Sequence, residues 1–168
     1  MKTLFLVRHA KSSWDDPDME DIERPLNGRG KKDAPVMGER LKARGILPGL
    51  ILSSPAKRAR STAKRIAEEM GYPGDSIRVE EDLYEGDIIK LLGLVKKSPA
   101  NLESLMFFGH NPLITEFANA LCGINIYNIP TCGIVSIRFD IKEWSEADFK
   151  KGELVLFDYP KKAQNGVE

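Results

Sequence analysis

The chain predicts an α/β fold in which a sheet of about six strands carries helices on both faces. Three observations predict it. Short apolar, β-branched runs alternate with stretches of helical periodicity. The alternation continues to the last strand-like run without an internal repeat or a low-complexity tract. The chain has 168 residues, 42% hydrophobic and 30% charged, a composition that suits one globular domain able to bury a core without disulfides.

Taken in order, residues 3–7 read as a buried strand, followed by strand-like runs at 50–53, 77–79, 104–108, 134–139 and 153–157, of which 77–79 is the weakest. Helices fill the intervals. The first lies within 31–44 with Gly45 as its stop, and Pro35 either falls in its first turn or bends it. The second covers 55–70, with Ser54 as its cap and Pro55 at the first helical position. The third covers 88–97, capped by Asp87, with Ile88, Leu91, Leu92 and Val95 as an apolar stripe. The fourth covers 112–122, capped by Asn111 and stopped by Gly123, with Leu113, Phe117 and Leu121 on one face. From Pro160 onward the sequence reads as a loose tail, which places one domain at 1–159 and the tail at 160–168.

Charge and cysteine content narrow the function classes. Lys plus Arg number 25, as do Asp plus Glu, so the net charge of zero gives no bulk reason to expect nucleic acid or an acidic membrane as partner. Cys122 and Cys132 are too few for a disulfide framework and match no zinc spacing, so they read as buried free thiols in a reducing compartment. The run 3–7 before Arg8 is too short for the core of a signal peptide, and no apolar run approaches the length of a membrane span. A cytoplasmic protein, a monomer or weak dimer, is the expectation.

In sheets flanked by helices, ligands bind beyond the carboxyl ends of the strands. That rule selects residues. The chain has two histidines. His9 follows the first strand and His110 follows the fourth. Arg8, directly after a buried strand, is costly to bury without an anionic partner. Arg58 falls in the first turn of the second helix, where the helix dipole disfavours a cation unless an anion sits between them. Two arginines, two histidines and two helix N-termini at one sheet edge would form a phosphate site, with forked guanidinium donors and a nucleophilic imidazole. No P-loop is present and no carboxylate cluster suggests magnesium. Neither a metal nor a cofactor is expected; catalysis would rest on positioning and fixed positive charge.

These residues carry a resemblance. The run Leu6-Val7-Arg8-His9-Ala10 resembles the Arg-His-Gly signature of the histidine phosphatase (phosphoglycerate mutase-like) superfamily. Ser54-Pro55-Ala56-Lys57-Arg58-Ala59, with Thr62, is similar to its second motif, and Gly109-His110-Asn111-Pro112 to its second-histidine motif. Asp21-Ile22-Glu23-Arg24-Pro25-Leu26-Asn27 with Arg29-Gly30 resembles the corresponding segment of the short SixA-like phosphohistidine phosphatase branch. Together these motifs touch residues 4 to about 120. The resemblance implies a three-layer α/β/α sandwich around a mixed, mostly parallel sheet. It implies His9 as the nucleophile that becomes phosphohistidine, and Arg8, Arg58 and His110 as ligands of the phosphoryl oxygens. Ala10 departs from the glycine of the signature and cannot easily take a positive φ, so the local turn is expected to differ slightly. Larger members place a general acid after the third strand. Glu85 stands there in this chain as candidate proton donor or as a solvated carboxylate, with Asp82 and Asp87 nearby. Lys11, Ser12, Ser13 and Trp14 are placed on the rim; Ser12 is a candidate phosphate donor or a turn residue, and Trp14 a rim contact or packing.

The interval between Thr62 and His110 has no room for the long covering segments of larger relatives, so an open pocket is expected. An open pocket suits a phosphoryl group on a macromolecule. A P–N bond also needs little leaving-group help once its nitrogen is protonated. The favoured reading is a metal-independent phosphatase acting on phosphohistidine in a protein. The alternative is a phosphomonoesterase of small phosphorylated metabolites. A module that binds phosphorylated protein without turnover is less favoured, since a pure binder needs no nucleophile.

Overall fold

The computed structural model describes residues 1–163; residues 164–168 of the expected tail lie outside the described residues. One six-stranded sheet organises the described residues. Its strands are β1 (Lys2–Arg8), β2 (Leu50–Ser53), β3 (Arg78–Val79), β4 (Ser104–Gly109), β5 (Ile134–Phe139) and β6 (Glu153–Asp158), in the order β3-β2-β4-β1-β5-β6. β1, β2, β3 and β4 run parallel to one another, and β5 and β6 add antiparallel pairings at one side. The expected mixed, mostly parallel sheet of a three-layer α/β/α sandwich is what forms.

Period-two alternation builds the two outer layers. Leu4 and Leu6 of β1, with Leu105 and Phe107 of β4, belong to one apolar cluster. α4 (Ile88–Lys96), α5 (Leu113–Cys122) and Trp144 cover that side. Phe5 and Val7, with Met106 and Phe108, belong to the other, where α1 (Gly28–Ala43) and α2 (Lys57–Met70) pack. A single helical turn, α3 (Asp82–Glu85), follows β3 in the chain and buries Leu83 in the first apolar cluster, beside β4 and α4. No helix among the described residues is long and apolar enough to cross a membrane.

The helix limits show where local signals compete. α1 begins at Gly28 rather than near 31, because the Asn27 side chain accepts from the Gly30 N–H at 2.8 Å and caps the helix earlier. Pro35 consequently lies inside the helix and not in its first turn. α2 begins at Lys57, two residues later than expected. Ser54 Oγ accepts from the Ala56 N–H at 3.1 Å, a tight turn that leaves Pro55 outside the helix. Asp87 caps α4 as expected, through Lys90 N. α5 starts at Leu113; Asn111 accepts from Thr115 N and Oγ1, one position outside the usual cap, and Gly123 stops the helix at φ 64°. At Pro160, where the expected tail begins, the chain is tied to the domain: the Arg40 guanidinium donates to the Tyr159 and Pro160 carbonyls, each at 2.9 Å. Cys132 is a buried free thiol and Cys122 a half-buried one.

Parallel register carries the fold into the site. Arg8 pairs with Gly109 across β1 and β4, so the next residues, His9 and His110, emerge side by side at the carboxyl edge. Ser53 pairs with Phe108 across β2 and β4, which brings Ser54 to the same edge. Beyond β1 the chain turns into a second, small antiparallel contact. Ser12 bridges Leu26, Ser13 N donates to Pro25 O, and Asn27 N donates to Lys11 O. The loop between these arms is held close over the sheet edge. The N-terminal turn of α1 presses on the base of that loop so tightly that a Cβ at Gly30 would stand 2.2 Å from the Lys11 carbonyl oxygen. At Gly28 nothing lies within 4 Å of an added Cβ. Gly30→Ala is therefore expected to cost about 1–3 kcal/mol in a urea unfolding titration, as overpacking does. Gly28→Ala should stay within about 0.5 kcal/mol; equal effects would show that the close approach does not constrain the loop.

Candidate active site

The carboxyl edge of the sheet opens into a cleft of about 360 Å³ lined by Arg8, His9, Ser12, Arg24, Arg58 and His110, with Lys11, Trp14, Asn27, Asn111 and Thr131 around them. His9 is 8% exposed. Its Nδ1 lies 2.7 Å from the Ala10 carbonyl oxygen. A carbonyl only accepts, so Nδ1 carries the ring proton and Nε2 keeps its lone pair. Burial drives the His9 pKa down to about 4; the bond to Ala10 opposes the shift, and the charges of Arg58, Arg8 and Arg24 add to it. Near neutral pH the ring is therefore an uncharged base.

Ala10 takes no left-handed conformation; among the described non-glycine residues only Cys132 and Lys150 have positive φ. Its N–H donates to Thr62 Oγ1 at 2.9 Å, and Thr62 donates to the Arg58 carbonyl at 2.7 Å. The small side chain is fully buried. Alanine thus fills the glycine position of the signature without backbone strain, and one threonine links the His9 turn to the first turn of α2.

The second imidazole is 5.0 Å from the first, centroid to centroid. His110 Nε2 lies 2.7 Å from Ser54 Oγ. Ser54 Oγ also accepts from Ala56 N, so the hydroxyl ties the His110 ring to the turn that precedes α2. Burial, followed by repulsion from His9 and Arg58, pushes the His110 pKa down to about 3, with Asp21 opposing. His110 Nδ1 and the Nε atoms of Arg8, Arg24 and Arg58 are buried and make no hydrogen bond among the described residues. Four such groups around one cleft are what an oxyanion satisfies.

Three guanidinium groups repel one another unless each is tethered. Arg8 Nη1 donates to the Ile129 carbonyl at 3.0 Å. That carbonyl also accepts from Asn111 Nδ2 at 2.9 Å, and Thr115 Oγ1 accepts from Ile129 N at 3.1 Å. Arg58 donates through Nη1 to the Asp21 carbonyl at 2.6 Å and through Nη2 to Asp21 Oδ2 at 3.0 Å. Tyr84 adds its hydroxyl to Oδ2 at 2.7 Å, and Arg24 approaches Oδ1 at 3.4 Å. Burial alone would raise the Asp21 carboxyl, but the hydrogen bonds from Tyr84 and Arg58 and the nearby cations outweigh it and hold the group below the ordinary range. Arg24 also donates to the Ser12 hydroxyl oxygen, so Ser12 keeps its proton to give. The Arg24 guanidinium stacks 3.4 Å from the centroid of Trp14, which is 75% exposed on the rim.

The structure thus brings Arg8, His9, Ser12, Arg58 and His110 into one cleft. Glu85 is exposed at the end of α3 and is not among the lining residues; its neighbour Tyr84 turns inward instead. Asp21, Arg24, Tyr84 and Ser54 acquire positions that motif spacing did not assign individually. Among the described residues no group of three or more His, Cys, Asp or Glu side chains is arranged to hold a metal ion. The arrangement can bind a tetrahedral oxyanion and present a neutral nitrogen to its central atom.

The tethering of Arg58 has a consequence of unusual sign. Removing the Asp21 charge alone would tighten anion binding, whereas losing the tether would weaken it. Asp21→Ala is expected to bind inorganic phosphate at least about tenfold more weakly, the scale of one charge-assisted hydrogen bond. Trp14 fluorescence reports the titration, since Trp144 is fully buried away from the cleft. Tighter binding would show that Asp21 acts by charge and not by position.

Comparison with known proteins meets this geometry. Residues 4–112 match the Histidine phosphatase superfamily (branch 1). An uncharacterised chloroplastic protein of Arabidopsis thaliana is 33% identical over 154 residues, covering 87% of this chain and 70% of that one. The 2,3-bisphosphoglycerate-dependent phosphoglycerate mutase of Brucella ovis is 35% identical over 97 residues, covering 56% of this chain and 47% of the mutase. Among solved structures, the putative phosphohistidine phosphatase SixA from Agrobacterium tumefaciens superposes with a TM-score of 0.80 at 27% identity, over 95% of this chain and 98% of that one. The protein histidine phosphatase SixA complexed with tungstate gives 0.78 at 24% identity, over 94% and 97%, and shows the shared fold. With the match spanning well over half its length, the chain belongs to branch 1 of the histidine phosphatase superfamily.

Proposed function

We propose that this phosphatase hydrolyses phosphohistidine on a protein, through a phosphohistidine intermediate at His9 and without a metal. The observation that carries the reading is the cleft lining: among the described residues it consists of histidine, arginine, lysine, neutral polar groups and the Trp14 ring, with no carboxylic acid. An alkoxide leaving group needs a proton as the P–O bond breaks. A phosphorylated imidazole protonated on its other nitrogen departs neutral and needs none. The place of the cleft at the carboxyl edge of the sheet, with the exposed Trp14 on its rim, and the likeness to a structure named as a putative phosphohistidine phosphatase support the same substrate class.

In this reading His9 Nε2 attacks phosphorus in line and the P–N bond to the substrate imidazole breaks. The bond from Nδ1 to Ala10 orients the ring and stabilises the charge that develops on it. Arg8, Arg58 and His110 donate to the phosphoryl oxygens, where fixed donors cost no reorganisation. Ser12 gives its hydroxyl proton to a further oxygen. Water then attacks the phosphorus of phospho-His9, releasing phosphate and restoring the neutral ring. Glu85 has no part in either step.

The test compares a protein phosphorylated on histidine with p-nitrophenyl phosphate and a panel of sugar phosphates, all in excess EDTA. Wild type should show a kcat/KM on the phosphohistidine protein at least about tenfold above any ester. His9→Ala should lose turnover of every substrate, and Glu85→Gln should keep both activities. A preference for an ester, sensitivity to EDTA, or binding without turnover would each overturn the proposal.

A further inference from the structure

Beside the cleft lies a second depression of about 200 Å³, lined by Pro130, Tyr159 and Pro160 and rimmed by Lys11, Arg29 and Lys161. Lys11 and Thr131 line both it and the catalytic cleft, so the two meet across those side chains. Its apolar wall is built in advance. Arg40 holds the carbonyls of Tyr159 and Pro160, each at 2.9 Å, and pairs with Asp158 at 3.2 Å. The ring of Phe157 meets Tyr159 edge-on at 5.7 Å. The acid at its margin, Asp33, is neutralised by Arg29 at 3.3 Å. Lys11 and Lys161 make no ion pair among the described residues, so the rim is left net positive.

We infer that this slot is a substrate-recognition subsite for the polypeptide flanking the phosphohistidine. It takes an apolar side chain between Pro130, Tyr159 and Pro160, and an acidic residue of the same segment meets Lys11 and Lys161. The inference rests on the proposed protein substrate and adds a sequence preference to it. A bare phosphoryl group has no use for an apolar slot, and a small polar metabolite held at His9 would bury no apolar surface there. A chain leaving the cleft over Thr131 reaches the slot directly, and the rigid prolines and the held tyrosine lose little freedom on binding it. The positive rim sets the charge of the partner segment.

Three probes separate the subsite from the reading beneath it. One is N-phosphoimidazole, which has no flanking chain. The others are two twelve-residue peptides with one phosphohistidine each, one followed within four residues by leucine and glutamate, the other by glycine and lysine at those places. Wild type should favour the leucine–glutamate peptide by about tenfold in kcat/KM, through KM. Lys161→Glu should abolish or invert that preference, and Tyr159→Ser should reduce it. Both variants should turn over N-phosphoimidazole within about twofold of wild type, which also shows that they fold. Equal use of the two peptides by wild type, or a preference that survives both substitutions, overturns the subsite while N-phosphoimidazole turnover upholds the underlying activity. No turnover of any phosphoramidate overturns that activity, and the subsite with it.

Discussion

An imidazole kept uncharged inside a ring of guanidinium groups is the constraint on which the site depends. Arg8, Arg24 and Arg58 make the cleft strongly attractive to an anion, and the same positive charge would be intolerable beside a protonated histidine. Desolvation is the larger influence on His9 and the arginines push the same way, so the resting ring gives up its charge. With a pKa of about 4, on the order of one ring in a thousand is protonated at pH 7. The bond from Nδ1 to Ala10 decides which nitrogen is left free. Nucleophile and anion receptor are thus made by one arrangement: the burial that readies the lone pair also strengthens the donors around it.

The scaffold supplies this arrangement largely through register. Parallel pairing of β1 and β2 on either side of β4 delivers His9 and Ser54 to one edge, each one strand spacing from His110, and α2 follows at once with Arg58. The cost is crowding of like charges. Asp21 relieves it from behind, with both its backbone and its carboxylate engaged by Arg58 and with Arg24 close by. Its own position depends on the loop clasped between Lys11–Ser13 and Pro25–Asn27, and the clasp depends on how closely α1 approaches at Gly30. A backbone contact well away from the phosphoryl site therefore bears on the aim of a guanidinium within it.

What the sequence made legible follows from this geometry. Arg8, His9, Arg58 and His110 sit at strand ends or in a first helical turn, where chain position and site position coincide. Alternating apolar strands likewise disclosed both faces of the sheet. Asp21 and Tyr84 were not individually legible because their meeting joins two loops distant in sequence, and only the folded clasp brings them together. The Asp21–Arg24 spacing of three within a short turn was the available signal. Glu85 stood at a suggestive place in the chain, but α3 is one turn long. Once Leu83 is buried and Tyr84 faces Asp21, the next side chain is left in solvent. Ser54 was read as a helix cap because the demand of His110 on its hydroxyl is invisible along the chain.

With two histidines in the sequence, nitrogen-15 NMR of the imidazole rings reads the charge and the protonated nitrogen of each. His9 is expected to be neutral at pH 7 with its proton on Nδ1, and to titrate near pH 4. A His9 ring that titrates near 6.5, or that carries its neutral-form proton on Nε2, would contradict that expectation.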